Sequence, residues 1–328
     1  MPTRRGATKV SPVLVWTAIL ILYLVWGSTY LGIRIAVATI PPFAMAAVRF
    51  AIAGTVLLTV VAVLRRGSIP RPSLREWRDC FIVGAFLMGG GMGAVAWGEQ
   101  TVPSGITALL IAMMPVWVAV FGRIFLGERL PRAAAIGIAT GMLGVVILVG
   151  PSLAIDRSLD PAGIVALIIS PISWAAGSLF SANRARLPKD PFLTTGMQML
   201  AGSTVLAAAS LLSGELRSFQ VESVTTNSLI AVVYLTVVGS LVAFTAYAWV
   251  LRHAPLPLIA TYAFVNPVVA VFLGWLILQE QVSPRQVIAG AVIVVGVGLI
   301  VAARSRMTSV RPRPTPSQPD AEDEAAAA

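Results

Sequence analysis

The sequence predicts an all-α membrane protein, ten transmembrane helices arranged as two inverted five-helix repeats. Three observations predict it. Of the 328 residues, 57% are hydrophobic and only 12% are charged, where a soluble protein carries about a quarter charged residues. Apolar stretches of about 20 residues, enough to cross a hydrocarbon core of about 30 Å, recur along nearly the whole chain. Finally, "AWGEQTVPSGITALLIAMMPVWVAVFGRIFLGERLPRAA" from Ala96 aligns without a gap onto "AWVLRHAPLPLIATYAFVNPVVAVFLGWLILQEQVSPRQ" from Ala248. At this constant offset of 152, Trp97 meets Trp249, Pro103 meets Pro255, Pro115 meets Pro267, Glu128 meets Glu280 and Gly144 meets Gly296. Upstream an offset of 148 pairs Trp26 with Trp174. Matches of Ala or Val would mean little in so apolar a chain; Trp, Pro and Glu in register are evidence of duplication. Five is an odd number of crossings, so the second repeat starts from the opposite face.

Taken in order, a basic N-terminal tail (residues 1–11) precedes a first helix at 12–34. The apolar region of that helix is too long for a signal peptide, and no small-residue cleavage site follows it. It carries Trp26, Ser28, Thr29, Tyr30 and Arg34 among aliphatic neighbours. The second helix, 42–64, opens on "PPF" and holds Arg49 about two turns in. The third, 79–98, contains Cys80 and the glycine-rich "MGGGMGA"; the fourth, 103–125, has Pro115 near its middle. The fifth, 133–149, bears Gly137 and Gly141 and almost no polar side chains. A periplasmic linker, 151–160, joins the first repeat (12–150) to the second (161–303), whose helices lie at 161–182, 192–212, 227–250, 255–278 and 284–303. The sixth holds Trp174 and Ser178, the ninth Tyr262, Asn266 and Pro267, and the tenth Gly290 and Gly296. The tail 304–328 is Pro-rich, then acidic and Ala-rich; it has too few apolar residues for a core and reads as a disordered cytoplasmic segment.

Charge sets the orientation. With the N-terminus in the cytoplasm, nineteen of the 24 Lys and Arg fall on inner segments and only Arg157, Arg217 and Arg285 on outer ones. The remaining two are Arg34 and Arg49. This bias puts both termini on the cytoplasmic side. The net charge of +10 therefore orients the chain in a lipid bilayer and does not mark it as binding nucleic acid. The single cysteine, Cys80, allows no intrachain disulfide and fits a reduced thiol.

The motifs "WGSTY", "PPF…VRF", "VPSGI", "ISWAAGS" and "YAFVNPVVAVFLG", in this order across residues 12–303, resemble the EamA family of the drug/metabolite transporter superfamily. The resemblance implies a ten-helix carrier of the bacterial inner membrane, usually an exporter of amino acids or other metabolites. It encodes the cargo poorly.

Symmetry separates scaffold from site. Inverted halves share what bends and packs helices, whereas a solute without two-fold symmetry must be read where the halves differ. Arg49 aligns with Gln198, Glu99 with Leu251, Tyr262 with Leu110 and Asn266 with Met114. An intramembrane arginine faces protein or water. Arg49 could fork onto a substrate carboxylate, tie the second helix to carbonyls at a neighbouring kink, or snorkel outward. Arg34, near the end of its helix, is expected to snorkel outward. Trp26, Thr29 and Tyr30 share a face of the first helix, and Tyr262 and Asn266 a face of the ninth. With Trp174 and Arg49 they make up the candidate substrate site, against the alternative that the tryptophans only pack the core. Pro115 and Pro267 each remove a backbone hydrogen bond near a helix middle. Such paired interruptions point to a midplane site or gate, or else merely shape packing.

The cavity is expected between the first, second, third, fourth, sixth, eighth and ninth helices, taking a small neutral, zwitterionic or anionic metabolite. The fifth helices of both repeats should lie at the periphery, bracing the bundle or touching a second copy in a homodimer. An embedded enzyme would need clustered carboxylates or a His/Cys/Ser constellation. One His, one Cys and no intramembrane acid cluster argue against an enzyme, and against any metal or cofactor. For proton coupling the candidate is Glu99, at the outer end of the third helix. Glu128 and Glu280, matched by symmetry at helix ends, read as helix-capping or loop contacts. An uptake carrier or a facilitative channel remains the rival to an exporter.

Overall fold

The computed structural model describes residues 11–65, 71–128, 131–154, 159–253 and 262–309. The N-terminal tail up to residue 10, residues 155–158 of the linker, the first residues (255–261) of the expected ninth helix and the tail beyond 309 lie outside the described residues. What is described is helical: α1 Pro12–Ala36, α2 Pro42–Arg65, α3 Leu74–Gly98, α4 Ser104–Leu126, α5 Arg132–Ala154, α6 Pro161–Asn183, α7 Pro191–Ser213, α8 226–253, α9 Tyr262–Leu278 and α10 Pro284–Ser309. Eight are long and apolar enough to cross a membrane, and Arg132–Leu148 and Val265–Leu278 are shorter apolar helices.

Local chemistry fixes the starts. Proline opens α1, α2, α6, α7 and α10, where its missing N–H costs nothing and its fixed φ suits the first turn. Asp160 accepts from the backbone N–H of Ala162 and Gly163, and Asp190 from Phe192 and Leu193. Acids from the second repeat cap helices of the first. Glu280 accepts from the N–H of Ser104 at 2.9 Å and of Gly105 at 3.2 Å, at the start of α4. Glu215 accepts from Phe43 and Ala44 at the start of α2. These carboxylates meet the unsatisfied donors and the positive end of the helix dipole.

Three boundaries differ from the sequence expectation. Helix α3 starts at Leu74 rather than 79, because Ser73 and Glu76 form a reciprocal capping box. Helix α5 runs on to Ala154, into the expected linker, and α10 runs to Ser309, beyond the expected onset of disorder at 304. Good helix formers lie in both extensions, Leu153 and Ala154 in α5 and Arg304, Arg306 and Met307 in α10.

The packing has the pattern that inverted duplication requires. Helix α2 packs on its repeat mate α7, and α5 on α10; α1 packs on α8 and α9 as α6 packs on α3 and α4. Swapping the repeats leaves this pattern unchanged. The small faces of α5 and α10 are spent on each other: a Cβ on Gly137 would lie 2.6 Å from the carbonyl oxygen of Gly296. Close backbone approach of this kind is how small residues join helices in lipid.

Both repeats also contain a π-helical segment, Ala85–Met92 in α3 and Leu235–Val242 in α8. Such turns widen the helix and recur at functional sites. Nothing in the hydropathy pattern signals them.

Candidate functional site

A cavity lies among seven helices of the bundle, with walls from α1, α2, α3, α4, α6, α8 and α9. These are the seven helices named from sequence. Trp26, Thr29, Tyr30, Arg49, Trp174, Tyr262 and Asn266 all face it, as do Pro115 and Pro267.

Each wall residue is held by its own helix. On α1, Trp26, Thr29 and Tyr30 fall at spacings of three and four, one face of one turn. The Thr29 hydroxyl donates back to the Trp26 carbonyl at 2.6 Å. The Trp26 ring stands 5.0 Å from Tyr262, 5.2 Å from Tyr247 and 5.8 Å from Phe244, with Tyr262 and Phe244 edge-on. Edge-to-face packing is favourable for aromatic rings. Sequence reasoning missed Phe244 and Tyr247; their spacing of three on one face of α8 was the signal available. Trp174 lies against α3 because Gly91 has no side chain: a Cβ there would lie 2.9 Å from the Trp174 ring. The glycine run in α3 thus seats a cavity wall.

Arg49 is the charge in the site. It is 3% exposed, so it does not snorkel. Its Nε donates to Ser240 Oγ at 3.0 Å, and its guanidinium carbon lies 4.9 Å from the Phe50 ring centroid. Ser240 and its cavity-lining neighbour Gly239 belong to the π-helical segment of α8. A Cβ on Gly239 would come within 3.3 Å of Arg49 Nη2, so glycine leaves the guanidinium room. No carboxylate of the described residues lies within ion-pairing reach of Arg49. A cation held in a low-dielectric pocket without a protein anion can pair with an anionic group that enters it.

On the facing wall, Asn266 is 7% exposed, and its side-chain oxygen finds no hydrogen-bond donor among the described residues. A buried acceptor without a partner asks for a ligand donor or an ordered water. Ser170 and Pro171 of α6 also reach the cavity; the sequence reading passed over them.

The prolines act differently. Helix α4 breaks at Ala112–Met113 and resumes at Met114, with Pro115 in the first turn of the new segment. Pro267 sits inside α9 without ending it.

One polar residue is engaged otherwise than expected. Arg34 does not snorkel: half-buried, it donates from Nη1 to the backbone carbonyl of Glu99, tying α1 to the end of α3. Such an anchor neutralises the partial negative charge of a helix C-terminus. Glu99 is fully buried and lines neither the central cavity nor the groove that Arg34 faces. Among the described residues no group of three or more His, Cys, Asp or Glu could hold a metal ion.

Comparison with known proteins gives concordant matches. The model of the EamA-like transporter family matches twice, over residues 14–150 and 161–302. The chain is 38% identical over 284 residues to the uncharacterized inner membrane transporter YedA of Escherichia coli K12, covering 86% of this chain and 89% of that one. It is 27% identical over 292 residues to protein PecM of Dickeya dadantii, covering 88% and 93%. A chain of known crystal structure superposes with a TM-score of 0.60 over 90% of this chain and 97% of that chain; at 24% identity the likeness is one of fold.

Proposed function

Because this chain belongs to the EamA-like transporter family, we propose that it is an inner-membrane secondary carrier exporting a small zwitterionic or anionic metabolite by alternating access. The observation that carries this reading is Arg49, a buried guanidinium on the cavity wall with no carboxylate beside it. The solute carboxylate binds the planar guanidinium, whose fork suits its two oxygens. A solute ammonium or hydroxyl donates to Asn266 Oδ1. Trp26, Trp174 and Tyr262 enclose the apolar part, as aromatic walls do in small-molecule sites.

Alternating access follows from duplication, since exchanging the conformations of the two repeats moves the opening from one face to the other. Pro115 and Pro267 supply the joints. With both termini cytoplasmic, the reading that the charge distribution supports, Glu99 and Glu280 lie toward the periplasm.

Overexpression should raise one carboxylate-bearing metabolite in the medium and lower it in the cells. In membrane vesicles its flux should saturate and show counterflow. Flux linear in concentration without counterflow would make the protein a channel, and chemical conversion of the solute would make it an enzyme. In the same vesicles Pro115→Ala, which restores a backbone donor at the break in α4, should slow transport severalfold at an unchanged protein level. A normal rate per molecule would reduce the proline to a packing element.

A further inference from the structure

Glu99 follows directly on Gly98, the last residue of the α3 span. It is 0% exposed, and neither oxygen of its carboxyl group has a hydrogen-bond partner. On one side Thr29 and Tyr30 line the central cavity. On the other a wide groove runs between the ends of α1, α8 and α9, lined by Arg34, Gln100, Tyr234 and Glu280 among others. The partition between them includes the hydrogen bond of Ser28 Oγ to the Tyr234 hydroxyl, 2.5 Å. Glu99 is thus buried in the wall between the two, beside Tyr30, which lines the cavity, and beside Arg34 and Glu280, which line the groove.

Resting on the carrier reading above, we propose that Glu99 is a proton-binding site linked to this wall: closed when Glu99 is neutral, open when it is ionised. A carboxylate removed from water with no donor to either oxygen strongly favours its neutral form. The charged and titratable groups around it do not reverse this. Burial raises its pKa, Glu280 raises it further, and Arg34 alone opposes. Arg34 is already engaged with the Glu99 backbone carbonyl. Tyr30 faces it from α1, and Arg49 on α2 donates to Ser240. Asp160, capping α6, is held ionised by the N–H of Gly163 and the Thr101 hydroxyl. Opening toward the groove would hydrate Glu99, let the proton go to water and leave an anion for Arg34 to meet.

The sign follows. A group whose pKa is raised in the closed form stabilises that form at low pH, and the stabilisation is lost as pH rises through the raised value. In reconstituted full-length protein, the infrared carbonyl stretch of a protonated carboxyl should be present at neutral pH, fade on alkalinisation and be absent in Glu99→Gln. In a Cys80→Ser background, Thr29→Cys reports cavity access to an impermeant thiol reagent. Right-side-out and inside-out vesicles are labelled separately, one of which presents the Glu99 end. Divided by the labelling rate of a fully exposed reference cysteine at the same pH, which removes the change in thiolate fraction, labelling from that end should quicken about tenfold between about pH 5 and about pH 9, and Glu99→Gln should hold this corrected rate slow throughout. Glu99→Asp, which keeps a titrating carboxyl, should keep the pH response and serves if the Gln variant fails to accumulate. A parent without pH response, a Gln variant that keeps it, or a carboxyl band untouched by the substitution would each overturn the proposal. None of these measurements uses the solute, so they stand or fall apart from the transport assay.

Discussion

Arg49→Gln raises the apparent KM for a carboxylate-bearing solute by the equivalent of about 2–5 kcal/mol, the usual loss on removing one partner of a desolvated charge pair. The substitution copies Gln198, the residue at the corresponding place in the second repeat. Gln198 is itself buried, so a glutamine is compatible with this position in the fold. Arg49→Lys is only a partial rescue, because lysine offers a point charge without the planar fork and has no equivalent of the Nε that donates to Ser240. The check is flux against solute concentration, normalised to the amount of folded protein. A structural role makes a different forecast: both variants lose protein, and whatever survives transports with the parental KM. Well-folded Arg49→Gln with unchanged KM ends the binding role. Ser240→Ala separates the two further, since it removes the tie to α8 and leaves the charge in place.

The second large effect is on folding. Gly296→Leu should deplete the folded protein from the membrane, because a Cβ at 296 would stand 2.5 Å from the backbone nitrogen of Gly141 and 2.7 Å from the carbonyl oxygen of Gly137. Those atoms belong to a helix backbone and cannot yield as a side chain does, so α5 and α10 must separate. Overpacking of a tight site costs about 1–3 kcal/mol and more when backbone must shift. Gly290→Ala is the contrast on the same helix, since a Cβ there meets only the end of the Leu109 side chain at 3.1 Å. It should be nearly neutral. Thermal unfolding of purified protein, followed by intrinsic fluorescence, ranks the two; equal melting temperatures would show that the α5–α10 seam is looser than its geometry.

Of the two roles expected of the fifth helices, bracing the bundle or touching a second copy, the glycine faces serve the first, since α5 and α10 pack on each other. A small-residue face read from sequence says that something comes close, not what.

Much of the site was legible in the chain for an identifiable reason. Polar residues in an apolar span are costly, so Thr29, Tyr30, Arg49 and Asn266 stand out against their neighbours without any structure. Duplication then picked out Trp26, Trp174, Pro115 and Pro267 as matched positions. Phe244, Tyr247, Ser170 and Pro171 did not stand out, because aromatic and small residues are ordinary in such helices.

By itself the sequence determined the class, the ten-helix plan and the inverted duplication. Hydropathy, charge bias and in-register Trp, Pro and Glu are properties of the chain read along its length. Tertiary structure alone decided which faces meet. It turned Arg34 from the snorkelling expected of it onto the carbonyl of Glu99, brought Glu280 across from the second repeat to cap α4, and buried Glu99. Each of these joins residues far apart in the chain, and the free energy of burial or of a hydrogen bond depends on the partner that folding supplies, a quantity no local pattern carries.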